Sequence, residues 1–352
     1  MRVTVVAMIG VAGLCGAVMA AQGGGRQGGR AGGEGGGTTI LEPAPADRVV
    51  AMPKEKLAQY LRDMDAKKQQ TLRMLEGGKY NVNIRRITNA ETALIHPNTI
   101  DVWYVMEGGG TLTTGGKIEG GKIVGGESHA VKVGDVEFIP ANLPHGVSGV
   151  NGNITWLNVR WDVDWAPDAE LGAGNLPGRP AARGEGGGEA GTGRAAGAPP
   201  AGRAAGAPGG RAGAPVGRGL GVLEYAATDH AVHISKEQLD AYRMDMDAKN
   251  TGTLRMIEGG HFNVNIRRIK APSVEFHPLT IDTWVVLEGG GTANSGFART
   301  DGRRVDGTGV STPANLGDVF FVPANFTHGF SSVNDVVAWL NIRWDTNWPA
   351  KK

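Results

Sequence analysis

Two stretches of the chain show apolar positions at helical spacing, and almost everything else that is patterned alternates with period two. In "KEKLAQYLRDMDAKK", which follows Pro53, Leu57, Tyr60 and Leu61 fall on one face, and this spacing predicts a short helix. The second stretch follows Ser235. Gln238 stands three residues later, the reciprocal cap pattern of a helix start. Beyond each helix, "YNVNIRRI", "DVWYVMEG", "DVEFIP" and "NITWLNVRW" alternate between Gly and Pro clusters and predict short strands. Many short strands at regular spacing mean a sandwich or barrel.

The pattern occurs twice. "MDAKKQQTLRMLEGGKYNVNIRRI" matches "MDAKNTGTLRMIEGGHFNVNIRRI", and "GDVEFIPANLPHGVSGVN" matches "GDVFFVPANFTHGFSSVN". "WLNVRWDVDW" matches "WLNIRWDTNW". This is a duplicated domain of 120 residues or so rather than a solenoid period. The reading divides the 352 residues into a signal peptide (1–20), a Gly-rich disordered segment (21–45), a first domain (46–165), a linker (166–228) and a second domain (229–350). The linker is built mostly of Gly, Ala, Pro and Arg and reads as a solvated spacer. A flexible linker of that length spans roughly 40 Å, so the domains can pair within one chain or across a homodimer.

At the N-terminus, Arg2 precedes the apolar run 3–18, and Val18-Met19-Ala20 is a small-residue cleavage site. This predicts a periplasmic or secreted protein with no transmembrane segment in the mature chain. The one cysteine, Cys15, lies inside that segment, so the mature chain is expected to have no disulfide and no thiol ligand. A formal net charge of +1 gives no reason to expect a nucleic-acid partner.

The chemistry lies in residues repeated between the copies. His96, Asp101 and His145 recur as His277, Asp282 and His328, each set followed or preceded by turn glycines (Gly108, Gly134; Gly289, Gly317) and a proline (Pro140; Pro323). These residues resemble the two motifs of the cupin family, and the resemblance covers both repeats. It implies two tandem jelly-roll β-barrels, an all-β bicupin with a short helix before each barrel. It also implies a divalent metal held inside the barrel. The family's first histidine is Leu94 in the first copy and Glu275 in the second, and its glutamate is Asp in both.

Residues two apart on a strand share a face, so positions 94 and 96, and 275 and 277, point together. The second copy offers Glu275, His277, Asp282 and His328, whereas the first offers His96, Asp101 and His145. Two imidazoles with carboxylate suit iron, manganese, zinc or nickel. The second copy is the expected main site, and two carboxylates crowded there should raise one pKa. Arg85 and Arg267 are candidate binders of a substrate carboxylate, with Trp103 and Trp284 as pocket walls. The bland alternatives are structural arginines, core tryptophans and a His–Asp pair that satisfies itself. "EGGG" at 107–110 and 288–291 reads as a hairpin turn.

The family likeness implies dioxygenation, decarboxylation or isomerisation of a small organic substrate. A dioxygenase-like reaction is favoured because two His and a carboxylate leave coordination positions open. The competing readings are a metal-free small-ligand binding module and a purely architectural pair of barrels.

Overall fold

The computed structural model describes residues 38–163 and 222–347. The expected signal peptide, most of the linker, Trp165 and Trp348 lie outside the described residues. Both predicted helices form: α1 (Lys54–Lys67) and α2 (Lys236–Ala248). Ser235 caps α2 with the reciprocal Gln238 bond. Pro53 is the N-cap residue of α1, without a side-chain capping hydrogen bond. Neither helix is long and apolar enough to cross a membrane.

Most of the remaining described structure is strand, in two nine-stranded assemblies, one built mainly from each repeat, and two two-stranded ribbons. In the first, Tyr80–Ile87 pairs antiparallel with Ile154–Asp162, which pairs with Thr99–Thr114, which pairs with Val136–Ile139. Thr99–Thr114 continues into a second set of partners, Glu127–Lys132 and His145–Ser148. The second repeat copies this arrangement around Thr280–Ser295.

The "EGGG" segments are not hairpin turns. Each lies inside a 16-residue strand, at the bend where it leaves one set of partners for the next. Gly108 has φ 67°, and a Cβ there would lie 1.8 Å from the Asn153 carbonyl oxygen; Gly289 meets Val336 in the same way. Only glycine permits that approach with that backbone.

The folded regions also begin earlier than the pattern suggested. Thr39–Pro43 pairs parallel with Thr71–Glu76, and Val222–Tyr225 pairs parallel with Thr253–Glu258. The reading had placed residues 39–43 in the disordered segment and 222–225 in the linker. Both strands are short and partly exposed, with too few apolar residues to show periodicity.

Cross-strand neighbours share a face, and this sorts the core into layers. Val82, Ile84, Leu157, Val159, Trp161, Val102 and Phe138 lie on the outer face of the first sheet. They form one apolar cluster with their counterparts from the second repeat. Trp161 stacks on Trp344 at 5.4 Å and 1° between planes. Around that pair, Tyr80 stacks on Phe321 while Phe262 stacks on Phe138, a reciprocal arrangement of the two repeats. The inner faces form two separate clusters, one per barrel, built around Trp103 and Trp156 and around Trp284 and Trp339.

The strand before each helix belongs to the other repeat. Val50–Met52 pairs with Val319–Phe321, and Val232–Ile234 pairs with Val136–Phe138. The helices that follow are anchored the same way. The first backbone N–H of α1, at Lys54, donates to Asp318 at 2.9 Å, and that of α2, at Lys236, donates to Asp135 at 2.8 Å. Each aspartate is buried and also accepts the N–H of its own turn, Asn315 or Lys132. Each domain is thus completed by a strand of the other repeat.

Two outcomes follow. Asp318→Ala and Asp135→Ala each remove the charged acceptor of two part-buried backbone N–H groups and should cost about 2–3 kcal/mol in urea unfolding; a change within about 0.5 kcal/mol would contradict the anchoring role. Cleavage at a protease site inserted within residues 166–220 should leave two fragments that co-elute on native gel filtration, since exchanged strands and a shared core hold them.

Candidate functional site

The inner face is polar where the outer face is apolar. Asn81, Asn83 and Arg85 lie opposite Arg160, Asn158 and Trp156, and Arg160 lies opposite Asp101. These residues point into the barrel. The second repeat repeats the register, with Arg343 between Asn263 and Asp282.

Each predicted ligand trio converges. In the first barrel, Nε2 of His96 and Nε2 of His145 both lie 3.7 Å from Oδ2 of Asp101. In the second, Nε2 of His328 and of His277 lie 3.4 and 3.9 Å from Oδ2 of Asp282. The aspartate side chain, shorter than the family's glutamate, still reaches. The imidazole pairs match closely, with ring centres 5.2 Å apart in both barrels. Glu275 adds its Oε2 at 3.5 Å from Nε2 of His277. Glu275 pairs along the backbone with His328, whereas in the first barrel Leu94 bridges His145.

The histidines are oriented by the backbone. Nδ1 of His145 lies 2.9 Å from the Leu143 carbonyl, and Nδ1 of His328 lies 2.8 Å from the Phe326 carbonyl. With Nδ1 donating, the Nε2 lone pair turns into the site, as a metal-ligating imidazole requires. In the second barrel, Nε2 of both His277 and His328 is buried without a well-formed hydrogen bond, standing 3.5 and 3.4 Å from the nearest carboxylate oxygen. Buried polar atoms normally find a partner, so this donor set fits a cation.

Every carboxylate of the two sites has its own arginine. Oδ1 of Asp101 lies 2.5 Å from Nε of Arg160, and Oδ1 of Asp282 lies 2.7 Å from Nε of Arg343. Their off-axis geometry falls short of an ideal hydrogen bond, but at these distances the ion pair dominates. Glu275 meets Arg267 at 2.8 Å. Burial pushes each carboxyl up, yet Arg160, Arg343 and Arg267, with the histidines, hold Asp101, Asp282 and Glu275 below the usual carboxylate range. The expected raised pKa in the second site therefore does not arise: the two acids do not repel each other into protonation because each faces a guanidinium. Burial alone would lower His328, but Asp282 and Glu275 raise it.

Arg85 and Arg267, the candidate substrate binders, are both engaged. Arg267 bonds Glu275, and Arg85 bonds Glu91 at 2.8 Å and Thr71 at 2.6 Å. Glu91 thus supplies in the first barrel the charge that Glu275 supplies in the second. It lies in an irregular segment at a different offset, so alignment of the copies does not show it. Trp103 and Trp284 belong to the inner cores and also flank the histidines, at 6.0 Å from His145 and 5.4 Å from His328. A small cavity in the second barrel reaches His328 past Trp284 and Phe320.

Arg343→Leu leaves Asp282 buried beside two imidazoles without its cation, and should destabilise the metal-free protein by about 3–5 kcal/mol in denaturant. The pH dependence has a definite sign. A carboxyl with a depressed folded pKa contributes stability above its unfolded value of about 4, and loses it as pH falls through the folded value. The stability gap between wild type and variant should therefore be largest near neutral pH and shrink as pH falls below about 4, where the carboxyl is protonated in both.

No protein-family model and no curated protein matches the sequence. Among solved structures, the salicylate 1,2-dioxygenase from Pseudaminobacter salicylatoxidans superposes with a TM-score of 0.51 at 13% identity, over 86% of this chain and 85% of that one. A cupin 2 conserved barrel domain protein from Leptotrichia buccalis aligns over 78% of this chain and 88% of its own, with a TM-score of 0.41 and 10% identity. A putative glyoxylate induced protein from Pseudomonas aeruginosa aligns over 77% and 76%, with a TM-score of 0.38 and 15% identity. Two tandem cupin barrels, each lending a strand to the other, are the fold of this chain.

Proposed function

We propose that this bicupin binds a divalent metal, chiefly in the second barrel, and acts on a small organic substrate by dioxygenase-like chemistry. The observation that carries the proposal is the convergence of two buried Nε2 atoms, His277 and His328, on Asp282 and Glu275 at 3.4–3.9 Å, without a well-formed hydrogen bond. These four residues would hold the metal. His96, Asp101 and His145 form a second, smaller set. A bound iron or manganese supplies redox chemistry and open coordination positions.

The remaining groups position the ligands. Arg343 fixes one oxygen of Asp282 and turns the other toward the histidines. Arg267 does the same for Glu275, so a substrate carboxylate would have to share this arginine. Trp284 walls the approach to His328. The fold-level likeness to a salicylate dioxygenase makes an aromatic acid a reasonable first substrate class. The pattern of residues 1–20 supports a periplasmic or secreted location.

One observation favours a second reading, a metal-free binding module. Asp282 and Glu275 balance Arg343 and Arg267, so the second barrel is neutral without a cation.

Elemental analysis of secreted protein never exposed to chelator or nickel resin separates the two. His277→Ala/His328→Ala should lose close to one equivalent of iron or manganese, and His96→Ala/His145→Ala should retain it. Equal metal in the wild type and the His277→Ala/His328→Ala variant, natively and after titration, would overturn the proposal in favour of the binding module.

A further inference from the structure

A third cluster of ligating side chains shares no residue with either trio. His129 stands on Glu127–Lys132, Glu137 on Val136–Ile139, and His233 on the exchanged strand Val232–Ile234 of the second repeat. Nδ1 of His233 lies 2.6 Å from Oε1 of Glu137, and Nε2 of His129 lies 3.1 Å from the same oxygen. The two rings are 4.4 Å apart. One ligand atom from each residue lies within 4.8 Å of the others.

Glu137 is the unusual member. Its side chain is 0% exposed, and among the described residues its ion pairs are with these two histidines alone. Its second oxygen, Oε2, is buried with no hydrogen-bond partner. The carboxylates of the barrel sites are each held by arginine, but this one is not. A buried carboxylate without a counter-charge costs several kcal/mol; a protonated His233 or a cation held by the three side chains would supply that charge. The histidines are each a little over one-quarter exposed, which leaves a way in from solvent.

The second barrel shows what this place looks like without a site. The register places Trp103 opposite Glu137 and His233 on its other side; in the second barrel Trp284, Phe320 and Ala51 take those positions. Leu112 faces His129, and Ala293 faces Thr312. Three residues that could be Thr, Phe and Ala, with the same backbone, are instead His, Glu and His.

We propose that His129, Glu137 and His233 form a separate binding site for a divalent transition cation of the zinc class, which ties the exchanged strand of the second repeat to the first barrel. Two imidazoles and a carboxylate are a suitable set for such an ion. Ligand atoms about 3.3 Å apart surround a tetrahedral ion with bonds of about 2.0 Å. The observed 2.6 and 3.1 Å need only a small opening. The site uses none of the residues of the two barrel trios.

The test compares zinc and cobalt(II) stoichiometry of the full chain with that of a variant carrying the second barrel's residues, His129→Thr, Glu137→Phe and His233→Ala. His233→Ala alone serves if the triple variant does not fold, since Ala51 occupies that position in the other barrel. The wild type should bind one equivalent more than either variant, and zinc should raise its melting temperature more. The His277→Ala/His328→Ala and His96→Ala/His145→Ala variants should keep this equivalent, whatever happens at the barrel sites. Equal stoichiometry in wild type and His233→Ala would overturn the proposal and leave the barrel assignments untouched.

Discussion

The main sheet of each barrel is buried on both faces, and the two burials make opposite demands. The outer face must be apolar because the other repeat packs on it, with Trp161 against Trp344 at the centre. The inner face is then the side on which polar chemistry can be enclosed. Tyr80–Ile87 shows the result: Tyr80, Val82 and Ile84 go outward, while Asn81, Asn83 and Arg85 go inward, and nearly all are buried. Period-two alternation normally separates core from solvent. Here it separates an apolar interface from a polar interior, so a slip of one residue would place arginines in the domain interface.

Enclosed charge explains the arginine–carboxylate pairing. Asp101, Asp282 and Glu275 stay ionised in a desolvated interior because a guanidinium faces each of them. The pairing also divides the work of each carboxylate: one oxygen is fixed by arginine and the other is aimed at the histidines. Rigidity of this kind sets the geometry of a metal site before any metal arrives.

Much of this was legible in the sequence, for physical reasons. The duplication and the alternation were enough for two β-rich domains. The grouping of the trios came with the resemblance of His96, Asp101, His145 and their counterparts to the cupin motifs; strand period alone put only positions 94 and 96, and 275 and 277, on a shared face. The partners of Asp101 and Asp282 were not legible. Arg160 and Arg343 come opposite them through strand register, which no local pattern encodes. "EGGG" misled because glycine serves both turns and close approach, and only the Asn153 and Val336 carbonyls tell which. The strand exchange was hidden for the same reason as the third cluster: Glu137 and His233 are 96 residues apart. Pairing at that separation leaves no periodicity to read.

Strand exchange also sets the order in which the chain can be completed as it is made. The edge Val136–Phe138 is closed by Val232–Ile234, which is synthesised roughly ninety residues later. At about 5–20 residues per second, that leaves the first barrel with an open apolar edge for some seconds. An edge of that kind is a template for unwanted pairing with other chains. The first repeat therefore has to wait, partly built, for its twin, and conditions that slow elongation between the repeats would lengthen its exposure to aggregation.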